Sequence, residues 1–316
     1  MGHGRVLIKR PAATAYKKAS CGGYCGDYRD PQGLAERLGR HLESARIDRH
    51  SWRGDPRGVL APHVKPRGDG ARVQAHAYSV IRDIRPDKVV VVSMNHNEKA
   101  EPRQEGIHAP NFTHYRMPLA DLRVNFDLLD AVCGIPAHNS VDMFEGQNSM
   151  EVQLLWLSAI SRALDYEIEI APIILDYFEN HHINWQRSAM VGERVARLGD
   201  DFGRIMLIAT ADLCHGHNKD ITQRVDQRTI AQIGLLNREG MLKYFWDTVY
   251  YGRTEFVEDI RQPCCSGNAI AAFLGLGDGL ERAKVVELAR GSTHDYIQSD
   301  VSDNVGFASL AVLDNF

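Results

Sequence analysis

The sequence has little net charge of either sign. Its 37 Lys and Arg nearly balance 41 Asp and Glu, for a formal charge of −4. A chain without a basic bias is not built to neutralise a phosphate backbone, so nucleic acid is not expected as a partner. Long apolar runs are also missing. Arg5, Lys9 and Arg10 near the start are not followed by a signal-type apolar core, and no stretch is long enough to span a bilayer. Val6 stands where a myristoylation motif needs Ser or Thr. The expectation is a cytoplasmic protein without a membrane partner. Six cysteines in such a setting read as free thiols, metal ligands or nucleophiles rather than as a disulfide framework. Cys21 and Cys25 form a C-x-x-x-C pair without a second matching pair, and read as loop cysteines rather than a zinc knuckle. A G-x-S-x-G elbow, a Walker loop and an H-E-x-x-H helix are absent, which removes three common chemistries.

What the chain does have is 44% hydrophobic content over 316 residues, enough for a substantial core. Residues 1–56 are rich in Gly, Arg and Asp, with one helical stretch, Pro31 to Ser44, where Leu34, Leu38 and Leu42 recur at helical spacing. They are expected to wrap a core formed by 57–316. In that core, strand-like and helix-like segments alternate. Gly58 to Ala61 is strand-like, Ala71 to Ile84 helical, and Lys88 to Ser93 a β-branched run suited to a strand buried on both faces. A helix over Met150–Leu164, a strand over Ile168–Leu175, a helix over Trp185–Leu198 and a strand over Ile205–Thr210 follow. Helices near Gln223–Leu236 and Gly267–Leu280, with strands near Val285–Ala289 and Val305–Leu313, complete the series. The alternation predicts an α/β fold with a mostly parallel central sheet flanked by helices on both faces. With no repeat or linker, one domain over 1–316 is expected. Nothing in the pattern selects an oligomeric state.

Three histidine-bearing segments follow directly on three apolar strand candidates. His63 ends Val59-Leu60-Ala61-Pro62-His63, His96 ends Val91-Val92-Ser93-Met94-Asn95-His96, and Asp212, His215 and His217 follow Ile205 to Ala211. In open α/β sheets the carboxyl ends of strands form the ligand crevice. Imidazoles gathered there suit metal binding or proton transfer near neutral pH. Cys265 precedes an apolar helix candidate, and exposed amides at a helix start favour a thiolate, either as a soft ligand or as a nucleophile. The scattered histidines, including His181 and His182, read as solvated loop residues.

Ordered motifs from Leu60 to the C-terminus resemble the Memo family, whose fold is similar to that of class III extradiol ring-cleaving dioxygenases. They are Ala61-Pro62-His63, Ala75-His76-Ala77-Tyr78, His96, Tyr115 to Leu122, Asn148-Ser149-Met150-Glu151-Val152-Gln153-Leu154, Ala211 to His215, the Cys265 turn, Gln298-Ser299-Asp300 and Val305 to Ala308. The resemblance implies that His63, His96 and Cys265 bind metal, Cys265 standing where the ring-cleaving enzymes place a carboxylate. It further implies that His215 is the acid/base residue, with Asp212 orienting it. The chain departs from the family pattern in three places. Val64-Lys65-Pro66-Arg67 replaces a Gly and two aromatics after the first histidine, Asn148 replaces a histidine before Ser149, and Cys265-Ser266-Gly267 replaces Cys-Gly-Arg beside a second thiol, Cys264.

These features predict a non-haem Fe(II)-dependent oxygenase that uses O₂ on a small aromatic or otherwise oxidisable, anionic substrate. Lys65, Arg67, Asn148, Glu151, Gln153 and His217 are the candidate substrate-binding residues, Lys65 and Arg67 either pairing with the anion or facing solvent. Because a thiolate also suits Cu(I) or Zn(II), a metal-binding or peptide-binding protein without turnover is the alternative. A third reading makes Cys264 or Cys265 a metal-independent nucleophile.

Overall fold

A computed structural model describes residues 15–19, 30–46, 52–96, 106–134, 137–139, 142–175, 181–198, 202–245, 260–293 and 304–314. The Cys21/Cys25 pair, the Arg5, Lys9 and Arg10 cluster and Gln298-Ser299-Asp300 lie outside the described residues.

The β-branched run forms β3 (Lys88–Met94), in which Val89, Val90, Val91 and Val92 are all fully buried. Successive strand side chains point to opposite faces, so an unbroken buried run requires cover on both. Its parallel neighbours are β8 (Glu169–Leu175) and β9 (Ile205–Thr210), and β9 pairs in parallel with β2 (Asp55–Ala61). On the far side of β8 lies the short parallel strand β6 (Leu122–Val124), which pairs antiparallel with β5 (His114–Arg116). β5 in turn pairs in parallel with β1 (Tyr16–Lys18). β4 (Ile107–Ala109) adds to β8 antiparallel and carries β7 (Ala137–Asn139) in parallel.

Beyond β2 the character changes. β13 (Asn304–Asp314) pairs antiparallel with β2, with β12 (Ala283–Ser292) and with β10 (His215–Gly216), and β10 pairs antiparallel with β11 (Ile260–Gln262). Among the described residues the sheet has 13 strands; the long parallel strands β8, β3, β9 and β2 form its middle, and the margin beyond β2 is antiparallel.

One helical layer contains α1 (Pro31–Ser44), α2 (Gly68–Ile84) and α4 (Asn148–Leu164). Leu34, Leu38 and Leu42 of α1 are buried where it packs on α2 and α4. Asp30 caps its start by accepting a hydrogen bond from the Gly33 amide at 2.9 Å. The other layer pairs α5 (His181–Arg197) with α8 (Gly267–Asp278), and α8 rests on β2, β3 and β9. These two helices touch backbone to backbone. A Cβ on Gly192 would sit 1.9 Å from the Ala272 carbonyl oxygen, and one on Gly275 would sit 2.0 Å from that of Ala189. The start of α5 places His181 and His182 in a helix, where the sequence suggested a loop. The remaining α-helices among the described residues are α3 (Phe126–Cys133), α6 (Lys219–Gly234) and α7 (Arg238–Phe245). Among the described residues, no helix is long and apolar enough to cross a membrane.

Candidate metal centre

Because β3, β9 and β2 are parallel neighbours, their carboxyl ends lie side by side. His96 follows β3, Ala211 and Asp212 follow β9, and His63 follows β2. Cys265 arrives from the antiparallel side. Its amide donates to the Asp212 carbonyl at 3.1 Å, and its Sγ accepts from the Asp212 amide at 3.0 Å, so one residue pair welds the turn before α8 to the end of β9.

The ligand-type atoms of His63, His96 and Cys265 all lie within 4.8 Å of one another, and so do those of Asp212, His215 and Cys265. His63 Nε2 is 3.4 Å from Cys265 Sγ and 3.4 Å from Asp212 Oδ2. The His63 and His96 rings meet edge to face, with centroids 4.9 Å apart. His63, Asp212 and Cys265 are buried, while His96 lies at the exposed rim. Asp212 Oδ1 also accepts from the His63 amide at 2.9 Å.

The electrostatics favour lone-pair donors. Burial pushes His63 down to about 3, helped by His215, so its imidazole is neutral near pH 7. His96 is lowered to about 4, chiefly by desolvation and then by His63, with Asp212 opposing the shift. Burial raises the Asp212 carboxyl, against the opposing pull of His215. Cys265 is pushed well up by burial, then by Asp212 and Cys264, and Cys264 is raised to about 12 by desolvation. The helix-start amides expected to favour a Cys265 thiolate are therefore outweighed by desolvation, because the thiol is enclosed.

Behind this front is a buried polar layer that the sequence reading placed elsewhere. Gln153 is fully buried behind His63. Its Nε2 donates to Thr210 Oγ1 at 2.9 Å and reaches the carbonyls of Pro62 and Ser149 at 3.2 Å each, while its Oε1 accepts from the Tyr78 hydroxyl at 2.5 Å. Thr210 Oγ1 is 3.1 Å from His63 Nδ1. Gln147 secures the other imidazole by accepting from the His96 amide at 3.0 Å and donating to Asn95 Oδ1 at 2.6 Å. Ser149 joins Ser93 at 2.6 Å. Thr210, Gln147 and Tyr78 are thus additions to the residues singled out from sequence. Only the Ala75-His76-Ala77-Tyr78 motif gave a signal for any of them.

The other candidates are dispersed. Glu151 is fully buried in α4, and Asn148 is half-buried at its first turn. Lys65, Arg67 and His217 are exposed.

The sequence model of the Memo family, described as Memo-like protein, matches residues 28–311. The chain belongs to the Memo family. A MEMO1 family protein of Methanothermobacter thermautotrophicus is 24% identical over 261 residues, covering 81% of this chain and 84% of the relative. One from Methanocaldococcus jannaschii is 26% identical over 278 residues, covering 83% and 86%. Among solved structures, an uncharacterized protein from Escherichia coli K12 aligns with TM-score 0.50 at 15% identity, over 81% of this chain and 99% of that one. That likeness concerns the fold alone. For this Memo family chain, the site chemistry rests on the geometry above.

Proposed function

We propose that this Memo family chain binds one metal ion through His63, His96 and Cys265, with Fe(II) as the first candidate, and oxidises a small substrate with O₂. The carrying observation is the convergence of two neutral imidazoles and one thiol on one point. An ion bonded to sulfur at about 2.3 Å and to an imidazole nitrogen at about 2.0 Å holds those two atoms about 3.0–3.5 Å apart. The 3.4 Å between Cys265 Sγ and His63 Nε2 falls in that range. The donor set fits in charge as well. Asp212 and Cys265 are buried against each other and each resists ionising, a conflict that a divalent cation relieves.

When bound, such an ion supplies open positions for substrate and O₂ and the electrons for oxygen activation. The chain's own residues do the rest. His215 lies in the second cluster with Asp212 and Cys265, within reach of a substrate hydroxyl whose proton it would accept and return. Asp212 holds the His63 backbone and faces His63 Nε2, which keeps the imidazole aimed inward.

The test is metal content after anaerobic Fe(II) loading, followed by O₂ uptake with a panel of catechols and aminophenols. About one iron per chain, lost in His63→Ala, His96→Ala and Cys265→Ala, supports the site. O₂ uptake that His215→Ala abolishes supports the oxygenase. Bound metal with no uptake by any panel substrate overturns the oxygenase reading.

A second reading is favoured by the soft donor at Cys265, namely Cu(I) or Zn(II) binding without turnover. Tight Cu(I) binding that Cys265→Ser abolishes, with no O₂ consumed, selects it. The metal-independent nucleophile reading draws no support, since Cys265 is enclosed and both thiols are held protonated, which makes them poor nucleophiles.

A further inference from the structure

The backbone around His63 has left the sheet. β2 ends at Ala61, so the peptide groups of Pro62, His63 and Val64 need partners other than a strand ladder. Side chains supply them. On one side, Asp212 accepts from the amide of His63, at 2.9 Å, and from that of Val64. On the other, Gln74 of α2 donates through Nε2 to the two carbonyls that bracket His63, those of Pro62, at 3.3 Å, and of Val64. The Pro62 carbonyl also accepts from Gln153 at 3.2 Å.

Gln74 is fully buried, and its orientation is fixed by chemistry. Its Oε1 accepts from Trp156 Nε1 at 2.7 Å, and an indole N–H only donates. Turned over, the amide would set its NH₂ against that donor and its oxygen against two carbonyls. The Trp156 ring stacks on Tyr78, with centroids 5.4 Å apart, and Tyr78 in turn donates to Gln153 Oε1. Two relays therefore cross between the same helices, from Trp156 of α4 to Gln74 of α2 and from Tyr78 of α2 to Gln153 of α4. Gln74 and Tyr78 share one face of α2, and Gln153 and Trp156 one face of α4, by helical spacing. Both relays end on the Pro62 carbonyl.

Burying an amide in a packed layer has a desolvation cost that its hydrogen bonds do little more than offset, and an apolar side chain would fill the place without it. What the glutamine adds is control of the turn. We infer that Gln74 is a positioning residue of the metal site: oriented by Trp156, it sets where the His63 backbone stands relative to Cys265 and His96. This rests on the metal-site reading above. Held by Asp212 on one side and Gln74 on the other, the turn presents His63 Nε2 to Cys265 Sγ at 3.4 Å, and ligands fixed in place bind metal more tightly.

The experiment titrates Co(II) as the probe, read by its thiolate charge-transfer and d–d bands, and measures amide hydrogen exchange without metal. Gln74→Met keeps the length and removes the donors. It is expected to weaken Co(II) about 10- to 100-fold, to shift the d–d bands, and to speed exchange at the His63 and Val64 amides about 10-fold. Trp156→Phe removes only the N–H that orients Gln74, and should move every readout the same way by less. Val80→Ala is the control, since this buried valine lies on the other side of α2 from Gln74 and Tyr78. It should lower the unfolding midpoint yet leave the bands unchanged and the affinity within about twofold. A folded Gln74→Met protein with wild-type affinity, or with wild-type exchange at those amides, overturns the inference. So does a Val80→Ala protein that weakens Co(II) as much. If wild type takes up no Co(II), while Gln74→Met speeds exchange at those two amides and Val80→Ala does not, Gln74 positions the turn and the metal reading fails.

Discussion

The two sides of the site are built by different rules. On the parallel side, β2, β3 and β9 deliver His63, His96 and Asp212 to one edge because parallel strands in register end together. On the antiparallel side, Cys265 and His215 are brought in by the short pairing of β10 with β11 and β13 and by the Cys265–Asp212 exchange. The first side is specified by long buried runs, in which each residue contributes burial and ladder bonds. The second depends on a few contacts, so single substitutions there should change the site more than the fold.

Cys265 is the sharpest place to break the comparison, since its sulfur belongs to both ligand clusters, whereas His63 and His215 each belong to one. Cys265→Ser is expected to take bound metal from about one per chain to nearly none, with the unfolding midpoint little changed. His63→Ala should also lose the metal, and His215→Gln should keep it. Metal retained by His63→Ala but lost by His215→Gln would move the ion to the antiparallel side.

The next largest effect falls on the packing that supports both sides. Gly192→Ala forces a methyl toward the Ala272 carbonyl, where the added Cβ has 1.9 Å. Helices α5 and α8 must separate, at a cost of about 3 kcal/mol or more in urea unfolding. Gly39→Ala in α1 is the matched control, with nothing within 4 Å of its new methyl. It should gain about 0.5–1 kcal/mol from helix propensity. Equal effects at the two sites would show that α5 and α8 are not in backbone contact.

Asp226 sharpens the contrast by pH. It is buried on α6, accepts from the Cys214 amide at 2.9 Å and is raised from 3.8 to about 7, first by desolvation, with Arg290 and the amide opposing. A carboxyl whose folded value exceeds its unfolded one binds its proton more tightly in the native state. Its contribution is thus complete below about pH 4 and disappears as pH rises through about 7. Wild-type stability should fall across that window by on the order of 4 kcal/mol from this group. Asp226→Asn keeps the acceptor for Cys214 and should flatten the slope, stabilising most at pH 8, less at pH 5 and little below about pH 4. An unaltered slope in the variant would assign the pH dependence to other groups.

The same division explains what was legible in the sequence. The strands of the parallel middle announce themselves as buried runs, and β3, β8 and β9 lie where the runs lie. Three histidine-bearing segments at strand ends were visible for the same reason. The strands β1, β4, β5, β6, β7, β10 and β11 have three residues or fewer, too short for any periodicity, and they exist through tertiary pairing. The role of Gln153 was hidden for another reason. A polar residue on a helix gives no sign of whether it faces a pocket or a ligand's back, and only the burial of Tyr78, Thr210 and Pro62 around it decides.

The smallest expected effect concerns the basic segment after His63. Lys65 and Arg67 are exposed, although they sit beside buried Pro66 and two to four residues from the buried imidazole. Exposed charges act through water and salt, so their reach into the site is weak and screened. Lys65→Ala with Arg67→Ala should therefore leave metal affinity within about twofold and stability within about 0.5 kcal/mol. Preference for a carboxylated catechol over plain catechol should shift less than about threefold, and less still at high salt. A tenfold loss for the carboxylated compound alone, persisting in salt, would place one of these cations against the substrate and make the basic segment a wall of the site.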